Sequence, residues 1–303
     1  MNLEDTLYEM LAGQPACLVS VHAVRGSVPR GRDAWMAVFG GAGADASIDA
    51  PGTLGTIGGG QLEFQAIEEA RRFLRTGGES GNVDADIATS RRVAPLGTAQ
   101  QSDHRVVRYP LGPSLGQCCG GEVHLCFERV DQAKLPALRQ RLARTLAPLA
   151  LFGGGHVGKA LIQVLGPLPL QVTWIDSRDE IFPADVPDNV ACEHSDPVHA
   201  AVARLAARSQ VIIMSFSHAE DLDVVAACLQ RQRSQGDLPF VGLIGSQTKW
   251  AAFGHRLAAR GFSDAEIAQV RCPIGIPGIN RKEPEVIAVS VAAQILLNLQ
   301  EQG

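Results

Sequence analysis

Two hydrophobic rhythms divide the 303-residue chain. From residue 148 onward, short apolar runs at 148–152, 170–176, 189–193, 210–216 and 239–244 alternate with helix-period stretches near 156–165, 197–208, 219–233 and 247–260. That alternation predicts βαβ units feeding a parallel sheet. The chain closes on PEVIAVSVAAQILLNLQ, a helix with Pro284 at its first position, where a missing N–H costs nothing. Before residue 148 the rhythm is mixed. Residues 3–12 predict a short helix, and 15–24 and 34–39 predict strands. The Gly- and Ala-rich stretch at 40–52 predicts a turn or flexible loop. Residues 61–77 place Leu62, Ala66, Ile67 and Leu74 on one helical face and end at Gly77. Residues 78–104 are polar and carry no assignable pattern.

The run HRVVRYPLGPSLGQCCGGEVHLCFERV holds two strand candidates around a Gly-rich turn. In the second, Val123, Leu125 and Phe127 alternate with Glu122, His124 and Cys126. The first half therefore reads as α+β with a mostly antiparallel or mixed sheet, and the second as a Rossmann-like parallel sheet. The expected division is a first domain at 1–130, a charged helical connector at 131–147 and the Rossmann-like domain at 148–303.

Composition narrows the classes. A net charge of −5 and a pI near 5.9 argue against nucleic-acid binding, which favours basic patches. No apolar run reaches membrane-spanning length. The acidic, amphipathic start MNLEDTLYEMLAG is unlike a secretory signal. Seven scattered cysteines with no CxxC suit free thiols in the cytoplasm rather than a disulfide framework or structural zinc. Cys17, Cys126, Cys192 and Cys228 lie in apolar patterns and read as core; Cys272 stays unassigned.

The chemistry gathers around glycines. LFGGGHVG at 151–158 is an apolar strand tail leading into Gly153-x-Gly155-x-x-Gly158 and a helix. The second apolar strand, QVTWID, ends in Asp176, the position of an acid that grips a ribose diol in dinucleotide sites. Backbone N–H groups at the helix start suit an anion. A second loop, GTIGGGQLE, sets Gly58, Gly59 and Gly60 before a helix. It fits either a second anion cradle or a tight strand-to-helix turn, and the residues alone favour the turn. GSVPR at 26–30 reads as a proline turn with a solvated Arg30. Cys118 and Cys119 sit on a glycine-flanked loop. They fit a soft-metal contact or redox pair, and equally two small side chains at a strand entrance. His218, after the strand VIIMSFS, stands at the carboxyl end of the parallel sheet, where ligands bind in such folds. Asp221 and Asp223 fit dipole-matched acids of a helix start. Trp35, Trp174 and Trp250 read as packing.

Taken in order, GSVPR, GTIGGGQLE, LGPSLGQCCGG, LFGGGHVG, WIDSRDEIFP, IGSQTKW and RCPIGIPG resemble the XdhC/CoxI family, accessory proteins of xanthine dehydrogenase and related molybdenum hydroxylases. The resemblance spans nearly the whole chain. It implies a cytoplasmic chaperone, not an enzyme, that carries molybdenum cofactor (molybdopterin) as cargo. It also implies as partners a cysteine desulfurase that sulfurates the cofactor and an apo-xanthine dehydrogenase molybdenum subunit that receives it, with a homo-oligomer compatible. Under that resemblance Gly58, Gly59, Gly60, Gly153, Gly155, Gly158, Asp176 and His218 are candidate cofactor contacts. Cys118 and Cys119 are candidate molybdenum contacts. The alternative, on the glycine fingerprint alone, is an NAD(P)-dependent oxidoreductase. It lacks a nominated proton-transfer residue, and Asp176 fits it better than a cofactor without ribose.

Overall fold

The computed structural model describes residues 3–32, 34–40, 52–76, 104–111, 121–143 and 145–301. The chain separates into two compact units, Met1–Ala143 and Arg144–Gly303. The expected contacts Cys118 and Cys119 lie outside the described residues.

The first unit contains helix α1 (Leu3–Gly13), strands β1 (Ala16–Arg25), β2 (Trp35–Phe39) and β3 (Thr53–Gly55), and helix α2 (Gly60–Arg75). Strands β4 (His104–Pro110) and β5 (Glu122–Val130) and helix α3 (Leu135–Leu142) follow. The sheet order is β3-β2-β1-β5-β4, and every described pairing is antiparallel. Strand β1 is apolar at consecutive positions because both its faces are covered. Cys17, Val19 and Val21 pack under α2 with Phe127 and Leu125, while Ala16 and Leu18 pack toward α1 and α3 with Trp35 and Phe39. The sheet is thus the middle of three layers. Of the expected connector, α3 buries Leu138 in the core shared with α1 and so packs as part of this unit.

The second unit contains β6 (Ala147–Phe152), α4 (His156–Leu165), β7 (Leu170–Asp176), β8 (Val190–His194), β9 (Gln210–Ile213) and α5 (His218–Gln235). It continues with β10 (Phe240–Leu243), α6 (Gln247–Ala259), α7 (Asp264–Ile267), β11 (Val270–Arg271) and α8 (Pro284–Glu301). All pairings are parallel, in the order β11-β10-β9-β6-β7-β8. Strand order reverses between β6 and β9, so the crevice at their carboxyl ends is the place a ligand would enter such a sheet. Helix α8 lies on α4 and buries Ala288, Val291, Ala292 and Ile295 against Leu161, Ile162 and Leu165.

Two expectations need correction. The helix expected at 197–208 is a 3₁₀ segment, Val198–Arg204. Its Val198, Ala201 and Val202 fit a helical face, but three or four residues per turn cannot be told apart over so short a run. Cys192, expected in the core, is exposed because β8 is the sheet's edge strand, and Cys126 is only half-buried. Among the described residues no helix is long and apolar enough to cross a membrane.

Candidate functional site

At the end of β6 the chain turns sharply into α4. Gly153 has φ of 120°, and a Cβ there would drive into the Met214 carbonyl. A Cβ on Gly158 would strike the Gly153 carbonyl. These two glycines are therefore required by close backbone approach. Gly155 differs: an added Cβ meets nothing within 4 Å, and its φ of −71° is open to any residue. Lys159 N–H donates to the Gly155 carbonyl (2.9 Å), the first bond of the helix, whereas the N–H groups of Gly155, His156 and Val157 find no acceptor among the described residues. Unpaired donors at a helix start, with positive dipole behind them, suit an anion.

Two side chains from β7 hold this loop. Trp174, fully buried, donates its indole N–H to the Gly153 carbonyl (2.9 Å). Asp176, 1% exposed, accepts from Gly154 N–H (2.6 Å) at one oxygen and from Arg178 N–H (2.9 Å) at the other. The Arg178 guanidinium adds a bond to each oxygen, both at 2.9 Å. Burial raises the Asp176 carboxyl, but the Arg178 side chain, Gly154 N–H and Arg178 N–H outweigh it and hold the acid below its ordinary range. Four donors fill the acceptor sites of two carboxylate oxygens. This corrects the ribose-gripping role expected of Asp176: the acid clamps the glycine loop from beneath.

Arg178 also lies 4.5 Å above the ring of Phe216, which is 66% exposed on the loop after β9. Glu220 ties the loops together, accepting from Ser177 Oγ (2.6 Å) and Phe216 N–H (3.1 Å). The carboxyl edge thus carries a rigid turn, unpaired backbone donors and an exposed aromatic face. His218 is the first residue of α5, exposed, with its ring edge-on to Phe253 at 6.4 Å; it stands on the same edge of the sheet. Asp221 lies in the first turn of α5, as expected of a helix-start acid. It is buried, accepts from Ser215 N–H (2.8 Å) and pairs with Lys249 (2.6 Å), fixing the start of α5 against α6. Asp223 does pair at the surface, with Arg260.

The second glycine loop is filled by the chain itself. Gly58, Gly59 and Gly60 all have positive φ, and a Cβ on Gly58 would meet Pro29 at 2.7 Å. One oxygen of buried Glu63 accepts from Thr56 Oγ1 (2.6 Å), Gly59 N–H (2.9 Å) and Ile57 N–H (3.2 Å). The anion at this helix start is the protein's own carboxylate. The tight-turn reading describes Gly58–60, and the expected second cradle does not form there.

Trp174, Arg178, Phe216 and Glu220 were not singled out as site residues from the sequence. An arginine two positions after the strand-ending acid, in WIDSRD, was the available signal. Among the described residues no cluster of three His, Cys, Asp or Glu side chains could hold a metal ion.

A family model described as the XdhC Rossmann domain matches residues 149–295, and one described as the XdhC and CoxI family matches residues 10–84. The chain is 25% identical over 283 residues to "Uncharacterized protein YqeB" of Escherichia coli K12, covering 93% of this chain and 43% of that one. It therefore spans less than half of that relative's length. A crystal structure described as a xanthine dehydrogenase from Bacillus halodurans shares the fold over 100% of this chain and 97% of its own, with a TM-score of 0.70 and 17% identity. A Rossmann-fold NAD(P)-binding family protein from Shigella flexneri aligns over 48% of this chain and 85% of its own, with a TM-score of 0.33 and 17% identity.

Proposed function

The chain belongs to the XdhC and CoxI family through both of its halves, and from that premise we propose that it is a molybdenum-cofactor chaperone for xanthine dehydrogenase or a related hydroxylase. In this reading it holds molybdopterin as cargo, supports sulfuration by a cysteine desulfurase and passes the cofactor to the apo-hydroxylase. The observation that carries the reading is the cradle at Gly155. Its donors are unpaired and its space is open, while every other part of the loop is locked by Trp174, Asp176 and close-packed glycines. The cargo is a planar pterin with a phosphate. The backbone donors of Gly155, His156 and Val157 suit the phosphate, and the exposed Phe216 face suits the ring. The chaperone's own part is to bind, orient and release; no bond-making residue is needed.

The oxidoreductase alternative rests on the glycine fingerprint, with Asp176 as the acid that would grip a ribose diol. With both of its oxygens taken by Gly154 and Arg178, the acid has a structural task that a cofactor without nucleotide leaves undisturbed. Cys118 and Cys119 are proposed, on the family resemblance alone, to contact or protect the molybdenum–sulfur centre through soft thiolates. If Cys118→Ser, Cys119→Ser and the double variant all deliver cofactor normally, that assignment fails.

The test is a client assay. Apo-xanthine dehydrogenase produced without this protein should lack active, sulfurated cofactor, and adding the protein back should restore turnover. Full activity in its absence would remove the proposal.

A further inference from the structure

We propose that the first unit carries a separate binding site for a phosphorylated small molecule. The site is a cleft of about 380 Å³ lined by Gln14, Pro15, Gly40, Leu74 and three arginines, Arg71, Arg75 and Arg129. It does not depend on the cofactor reading given above.

The arginines come from two elements that meet at this cleft. On α2, Arg71 and Arg75 lie one turn apart, beside the buried stripe that Leu62, Ala66, Ala70 and Phe73 continue to the end of the helix. Arg129 lies opposite Cys17 in the sheet register and two residues beyond Phe127. Cys17 and Phe127 both belong to the core under α2, so alternation puts Arg129 on that face as well. A helix and a strand thus both deliver guanidinium groups to the cleft.

Matching of the helix dipole accounts for a cation in the last turn of α2. It does not account for Arg129, which is on β5. Arg72 and Arg105 pair with Glu69, Arg108 with Glu122, and Arg141 with Glu128. Arg75 and Arg129 have no carboxylate partner among the described residues, and no carboxylate lines the cleft. Such convergence is unexpected in a chain of net charge −5. Guanidinium forks match phosphate oxygens in pairs. The volume falls within the range of small-molecule sites, and Leu74 and Pro15 offer apolar contact to the remainder of the ligand.

The experiment titrates pyrophosphate calorimetrically into the full chain carrying Gly155→Val, so that the cradle at α4 contributes nothing. Binding should persist in that background. It should weaken about tenfold or more on adding Arg75→Gln or Arg129→Gln, and change less than about twofold with Arg72→Gln, whose partner is Glu69. Circular dichroism checks each fold. Arg75 is exposed, so its variant decides the matter if Arg129→Gln does not fold. Absence of binding in the Gly155→Val background, or equal weakening by Arg72→Gln, overturns the site. Neither result bears on the cradle at Gly155.

Discussion

Gly155 and its two motif partners answer different demands, and substitution separates them. Gly153 and Gly158 are fixed by backbone contact, so Gly158→Ala should cost about 1–3 kcal/mol or more through forced displacement of the Gly153 carbonyl. Gly155→Val has room in the fold. It replaces a tolerated N-cap by a poor one, which costs about 1 kcal/mol or less, and fills the space an anion needs. Thermal unfolding should therefore show a large loss for the first variant and a small one for the second, with ligand retention lost in the second. At Asp176 the stabilisation depends on pH. Its folded pKa is depressed, so its stabilisation is present above the unfolded value of about 3.9 and is lost as pH falls through the folded one. Asp176→Asn should destabilise the protein by about 1–3 kcal/mol at neutral pH, since a buried amide cannot accept from all four donors. The gap from wild type should narrow in an acid series below about pH 4. A gap independent of pH would show that the carboxylate charge is not what holds the loop.

At the scale of elements, Glu63 secures the turn into α2 and Glu220 joins the loops after β7 and β9. Glu63→Ala leaves Ile57 and Gly59 N–H groups without their acceptor. It should cost about 1–3 kcal/mol, with faster amide exchange confined to the first turn of α2. Unchanged exchange there would mean the carboxylate is dispensable. These cases also show what the sequence could reveal. The parallel sheet was legible because strand and helix periods alternate cleanly from residue 148, and Gly153-x-Gly155-x-x-Gly158 was legible because strand, turn and helix each leave a local mark. The partners of the acids were not. Glu63 reaches back only to residues 56–59, but nothing in GTIGGGQLE separates a carboxylate that fills the turn from one facing solvent. Asp176 reads as a ribose acid until Arg178 and Gly154 are seen to take its oxygens. Arg129 gains its place only once β5 is registered against β1, where it stands opposite Cys17.

For the molecule as a whole, membership in the XdhC and CoxI family covers both units, and the cargo role rests on the cradle of the second. The two units offer chemically distinct places for anions: backbone donors at α4, and guanidinium groups of α2 and β5. The most direct measurement is the pterin and molybdenum content of the full chain purified from a host that makes the cofactor, with Gly155→Val prepared in parallel. The account predicts pterin and molybdenum together in the wild-type protein and neither in the folded variant. A wild-type protein free of both, or a variant that retains them equally, would contradict it.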